Sequence, residues 1–233
     1  MTFLLIGHHS ERAAAAGASH VQLGSGADRL PNETAADWTT YADYIAVVTI
    51  SAERELPPTD TELGQGQGMI LRSVTLDVGN VLWSKTSAPR DLPAKFEQTA
   101  IGWKFGNGDV NDRQELGITD ASRMEVGHTY IMALEWTDAR CSPGDKVPAG
   151  WRGLGAASTL PYDDEIVGQG EMEGTVQAAT QARTTLSSAP MDGTVYALTV
   201  GKSAYAVQNL LNSSKPEAPR QSFAANSAGE PCS

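Results

Sequence analysis

Apolar residues in this chain come in short β-branched runs, not in long helical stripes. The clearest are residues 44–52 (YIAVVTISA), 69–83, 95–105 and 129–136 (TYIMALEW). Runs of this length, rich in Val, Ile, Thr and aromatics and bounded by Gly, Pro or Asp, predict strands. In the second run Val74, Leu76 and Val78 fall on one face, and Thr75, Asp77 and Gly79 on the other. Residues 171–176 and 193–200 (GTVYALTV) predict two further strands. Helical spacing occurs near each end. Trp38, Tyr41, Ala42 and Ile45 follow a start at which Asn32 or Thr34 can cap, and Asp43 marks the exit. Val207, Leu210 and Leu211 follow Ser203.

Between these runs the chain is rich in turn formers. Pro57, Pro58, Gly64, Gly66 and Gly68 predict a loop over residues 53–68, and residues 106–109 predict a tight turn. Residues 138–170, rich in Gly, Pro and Asp, predict a long surface excursion with room for one short strand, and residues 177–192 a short helix or open loop. The expected organisation is a leader over 1–30, one domain over 31–214 and a disordered tail over 215–233. Short strands without intervening helices predict a small barrel or sandwich, not a parallel α/β fold.

Composition narrows the function. The chain has 233 residues, 17 basic and 28 acidic, for a net charge of -11. It carries no basic run, so nucleic acid and anionic membrane surfaces are poor partners. No stretch approaches the ~18 apolar residues that span a bilayer. Near the start, residues 3–6 are apolar, but His8, His9, Ser10, Glu11 and Arg12 interrupt the run a secretory signal needs. The two cysteines, Cys141 and Cys232, are either free thiols or one disulfide tying the tail to the body, which would need an oxidising compartment.

Candidate chemistry is sparse. Gly201, Lys202 and Ser203 lie where a phosphate loop would, but Tyr196 occupies the position of its first glycine. Tyr162, Asp163, Asp164 and Glu165, with Glu171 and Glu173 nearby, offer oxygen ligands or paired carboxylates for a hydrolase; a solvated turn is the simpler reading. His8, His9 and His20 lie in the leader and His128 stands alone, so no metal set or cofactor is expected. Cys141 with His128 is the one thiol–imidazole pair available to a nucleophile. Trp151, beside Arg152 in a Gly- and Pro-rich loop, is the aromatic expected to be exposed for contact.

The segments ADYIAVVTI (42–50), VTLDV (74–78) followed by VLW (81–83), and MEVGHTYIMAL (124–134) resemble a group of exported bacterial proteins of uncharacterised function. The resemblance covers roughly residues 35–136. It implies a mainly β fold, a small antiparallel Greek-key barrel like those of the OB-fold or the tissue inhibitors of metalloproteinases, with an N-terminal and a C-terminal helix. It implies export to the cell envelope or medium, and it carries no catalytic residues. The expected function is a non-catalytic extracytoplasmic binding module for a protein or small ligand, through Trp151, Arg152, Tyr162, Asp163 and Asp164. The alternatives are a hydrolase or metal-dependent enzyme using Asp163, Asp164, Glu165 or Glu171, and an inhibitor-like protein docking a partner enzyme.

Overall fold

The structure is a computed structural model that describes residues 21–26, 28–142, 145–188 and 193–219. The chain runs β1 (Gln22–Gly24), α1 (Ala35–Tyr41), β2 (Tyr44–Leu56), α2 (Asp60–Gln65), β3 (Gly68–Ser84), β4 (Lys95–Gly106), β5 (Asp109–Ile118) and β6 (Thr129–Thr137). Short elements follow: β7 (Arg140–Ser142), β8 (Asp145–Val147), β9 (Gly150–Gly153), β10 (Thr159–Pro161), β11 (Gly170–Met172) and β12 (Thr175–Gln177). The last three are α3 (Ala179–Ser188), α4 (Val195–Thr199) and α5 (Ala204–Ser213).

The fold is mainly β. One sheet has the order β1-β5-β4-β3-β2-β6-β10, and β9 pairs with β6 beyond β10. All of its pairings are antiparallel except β1 with β5, so the sheet is mixed. Among the described residues no pairing joins its two ends. The sheet nevertheless curls, and β9 comes to within 8 Å of β4, Cα to Cα.

Strand alternation then gives two cores. Successive side chains point to opposite faces. Ile45 on β2 and Ile131 and Ala133 on β6 face Trp38, Val195, Val207 and Leu211 of the helices. Ala46, Val48 and Ile50, with Tyr130, Met132 and Leu134, face inward against Val74, Leu76, Ala100 and Trp151. Trp151 from β9 and Ala100 from β4 share this inner cluster, as the curl requires. Burying both faces explains why residues 44–50 and 130–134 are apolar almost throughout.

Local chemistry fixes the helix entry. Thr34 caps α1 by accepting from the Asp37 amide at 3.1 Å, while the Asp37 carboxylate takes the Thr34 amide at 3.0 Å. The Trp38 indole N–H donates to the Asn32 carbonyl at 2.7 Å, so a fully buried ring keeps its polar edge satisfied.

Several expectations from the sequence are corrected. Residues 193–200 form α4, not a strand: Thr194 accepts from the Ala197 amide and starts a helical turn. Within 53–68, β2 continues to Leu56 and Thr59 caps α2 in a capping box with Glu62; Gly66 ends that helix at φ 67. Residues 138–170 are built into the body, with four short strands and buried Trp151, Leu154, Leu160 and Val167. The expected leader contributes β1, and residues 1–20 lie outside the described set. Residues 215–219 of the expected tail include Glu217, whose amide donates to the Thr40 hydroxyl, and residues 220–233 lie outside the described set.

Candidate functional site

The acidic segment proves to be an internal latch. Glu171, on β11, is 1% exposed. Its Oε1 accepts from the amides of Arg123 at 3.0 Å and Gly174 at 2.6 Å. Its Oε2 accepts from the Met124 amide at 3.0 Å and from the Tyr130 hydroxyl at 2.7 Å. The Tyr130 oxygen in turn accepts from the Glu125 amide at 2.9 Å. Burial, followed by the charge of Glu171, holds the Tyr130 phenol far above its ordinary 10.0, so it stays a donor.

Two buried arginines extend this network. Arg72, fully buried in the first third of β3, donates to the carbonyls of Ile101 and Arg123 and pairs with Glu53 at 2.5 Å and Glu125 at 3.8 Å. Arg123 donates to the carbonyls of Leu116 and Gly102 and pairs with Glu125. Residues 121–125 are thereby bound to β3, β4, β5, β6 and β11 without belonging to any strand.

Asp163 has a similar structural role. Its Oδ2 lies 2.6 Å from His128 Nδ1, and its Oδ1 accepts from the Thr129 amide at 2.8 Å, fixing the turn into β6. Asp164 and Glu165 are exposed in left-handed backbone, at φ 53 and 61. Tyr162 is buried, and its hydroxyl accepts from the Ala204 amide at 3.1 Å. Trp151, expected to be exposed, is 4% exposed, with edge-to-face contacts to Tyr44 at 5.5 Å and Trp136 at 5.6 Å. The expected surface set is therefore split between core and separate turns. Among the described residues, no three His, Cys, Asp or Glu side chains are arranged to hold a metal ion. Cys141 is not a free thiol, which removes the Cys141–His128 nucleophile; Cys232 lies outside the described residues.

What the latch leaves open is a groove of about 370 Å³ at the gap in the curled sheet. One wall is β4 over residues 98–101, where β4 has no strand partner on the β5 side among the described residues; the β4–β5 pairing covers only Trp103 to Gly106. The opposite wall is Arg152 and Gly153 of β9, then Gly155, Ala156 and Thr159. Residues 121–124 and the end of β5 close one end, and Met132 of the inner core forms part of the lining. In a chain with 28 acidic residues, no Asp or Glu is among the described lining residues. Of the expected contact residues, only Arg152 borders this groove; it is half-buried and donates to the Pro148 carbonyl at 2.9 Å.

No protein family, curated protein or solved structure matches the chain. The site therefore rests on its geometry.

Gln98, Met124 and Met132 were not legible as site residues, because only the curl and the latch bring them together. Arg72 did leave a signal. A lone arginine inside an apolar strand run calls for a buried carboxylate partner.

Proposed function

We propose that the protein is a non-catalytic extracytoplasmic binding module whose ligand occupies the groove between β4 and the β9–β10 arm. The observation that carries this reading is the groove itself. It has the size of a small-molecule site, a mostly apolar lining with few polar groups, and walls held by a buried hydrogen-bonded frame. In this reading the curled sheet is a partly closed barrel of the small Greek-key kind, and the ligand enters at its gap. The resemblance to exported bacterial small-barrel proteins supports the extracytoplasmic part. The hydrolase alternative gains nothing from the geometry, since Glu171 and Asp163 are committed to backbone amides. The inhibitor alternative loses its contact residue, because Trp151 is core.

The test is a fragment screen on protein labelled at the methionine ε-methyl groups. Met124 and Met132 report on the groove, Met172 on a separate slot beside α3, and Met69 on the outer surface. Fragments that move Met124 and Met132 together support the reading. Fragments that move only Met172 or Met69 overturn it.

A further inference from the structure

We infer that the groove takes a short extended peptide that adds to β4 as a strand beside Thr99 and Ile101. This inference rests on the groove being the binding site and names the class of ligand.

The β3–β4 register decides which main-chain groups face the groove. In an antiparallel pair, opposite residues alternate between those that exchange hydrogen bonds and those that do not. The Val78 amide donates to the Ala94 carbonyl at 2.9 Å. From Asp77 opposite Lys95 to Leu71 opposite Ile101 the register is unbroken. Phe96, Gln98 and Ala100 therefore bond to β3, while the N–H and C=O groups of Thr99 and Ile101 point away from it. The Ile101 carbonyl accordingly accepts from Arg72 Nε at 2.9 Å. Thr99, exposed, and Ile101, half-buried, both line the groove. No strand pairs with them on that side among the described residues. The Thr99 N–H and C=O and the Ile101 N–H thus form a strand edge along the groove.

Arg123 holds this edge open. The last β4–β5 pair is Trp103 with Glu115, so Gly102 and Leu116 would form the next. The buried Arg123 guanidinium stands there instead, donating to the Leu116 carbonyl at 3.0 Å and the Gly102 carbonyl at 2.8 Å. Beyond this wedge β5 pairs with β1, and the room lies between residues 98–101 and residues 117 and 118. On the other side β9 comes to within 8 Å of β4. A strand paired on both sides needs about 9.5 Å, so the peptide bonds to β4 alone.

The edge also sets length and pattern. Four residues span about 10 Å, and residues 121–124 close one end, so about three peptide residues fit. The source is therefore a short free peptide. Opposite residues share a face of the sheet. Ala100 faces the inner core with Met124 and Met132. Peptide residues opposite Gln98 and Ala100 turn their side chains toward those methionines, which adapt to irregular shapes. The residue between them, opposite Thr99, turns its N–H and C=O to β4.

The experiment titrates acetyl-Val-Ala-Val-amide into protein labelled at the methionine methyls and main-chain amides. The inference expects shifts at Met124 and Met132 and slowed hydrogen exchange at the Thr99 and Ile101 amides. N-methylation of the central Ala removes the N–H that faces β4 and is expected to weaken binding about tenfold. N-methylation of the first Val, whose N–H points away, is expected to leave affinity unchanged. Equal affinity for all three peptides, or methyl shifts without slower exchange at Thr99 and Ile101, overturns the strand pairing and leaves the groove as the site. If fragments move both methyls and the peptide moves neither, the peptide is not the occupant. Equal affinity for the same residues within a longer chain overturns the short-peptide source. If peptide and fragments alike move only Met172, the groove reading itself fails.

Discussion

Replacing Glu171 by Gln separates a structural latch from a catalytic acid. The carboxylate receives four donors, two on each oxygen. A carboxamide can accept at one end only. In its best orientation the oxygen keeps the Arg123 and Gly174 amides and the NH₂ faces Tyr130, whose hydroxyl can rotate to accept. The Met124 amide then meets another donor and loses its partner. That amide costs about 1–3 kcal/mol, and the bonds that remain lose the strengthening supplied by charge. A loss of about 3 kcal/mol is expected. The assay is urea unfolding at pH 7, with the midpoint falling and the slope unchanged. Tyr130→Phe removes one donor and one acceptor of the same network and is expected to cost about 2 kcal/mol, with the double variant losing less than the sum. A loss below about 0.5 kcal/mol in Glu171→Gln, the size of an ordinary surface change, would refute the latch and reopen the acidic segment to catalysis.

Arg72→Met leaves Glu53 without its buried cation, removes the weaker of the two arginines paired with Glu125, and strips donors from the Ile101 and Arg123 carbonyls; a loss of about 3–5 kcal/mol is expected by the same assay. Burial raises the Tyr196 phenol to about 12 from 10.0. The folded chain therefore keeps a proton that the unfolded chain releases, a contribution complete below pH 10.0 and lost as pH rises toward 12. Stability measured between pH 9 and 11.5 should fall less steeply in Tyr196→Phe, and identical slopes would contradict the assignment. Cys141 should resist alkylation in unfolded, unreduced protein and react after reduction; intact mass reads both states.

The strands that bury both faces were legible because their burial writes long β-branched runs into the sequence, as at residues 44–50 and 129–136. β5 was not. Its residues 109–116 are half-buried or exposed, and Asn111, Asp112, Arg113 and Gln114 carry no alternation. α4 failed for the opposite reason. Val195, Tyr196, Leu198 and Val200 satisfy strand composition, and only the Thr194 cap and helix packing decide the outcome. Trp151 was read as a loop residue because Gly150 and Gly153 flank it, yet those glycines belong to a short strand paired with β6. The groove was the least legible feature. Gln98, Met124 and Arg152 are far apart in sequence, and their meeting depends on the Glu171 network that positions residues 121–125.

The most direct measurement is a crystal structure grown with the tightest-binding fragment. The account predicts density between β4 and β9, with the fragment against Met124 and Met132. Density in the slot formed by Met172, Leu186 and Tyr196, with the β4–β9 groove unchanged, would contradict it.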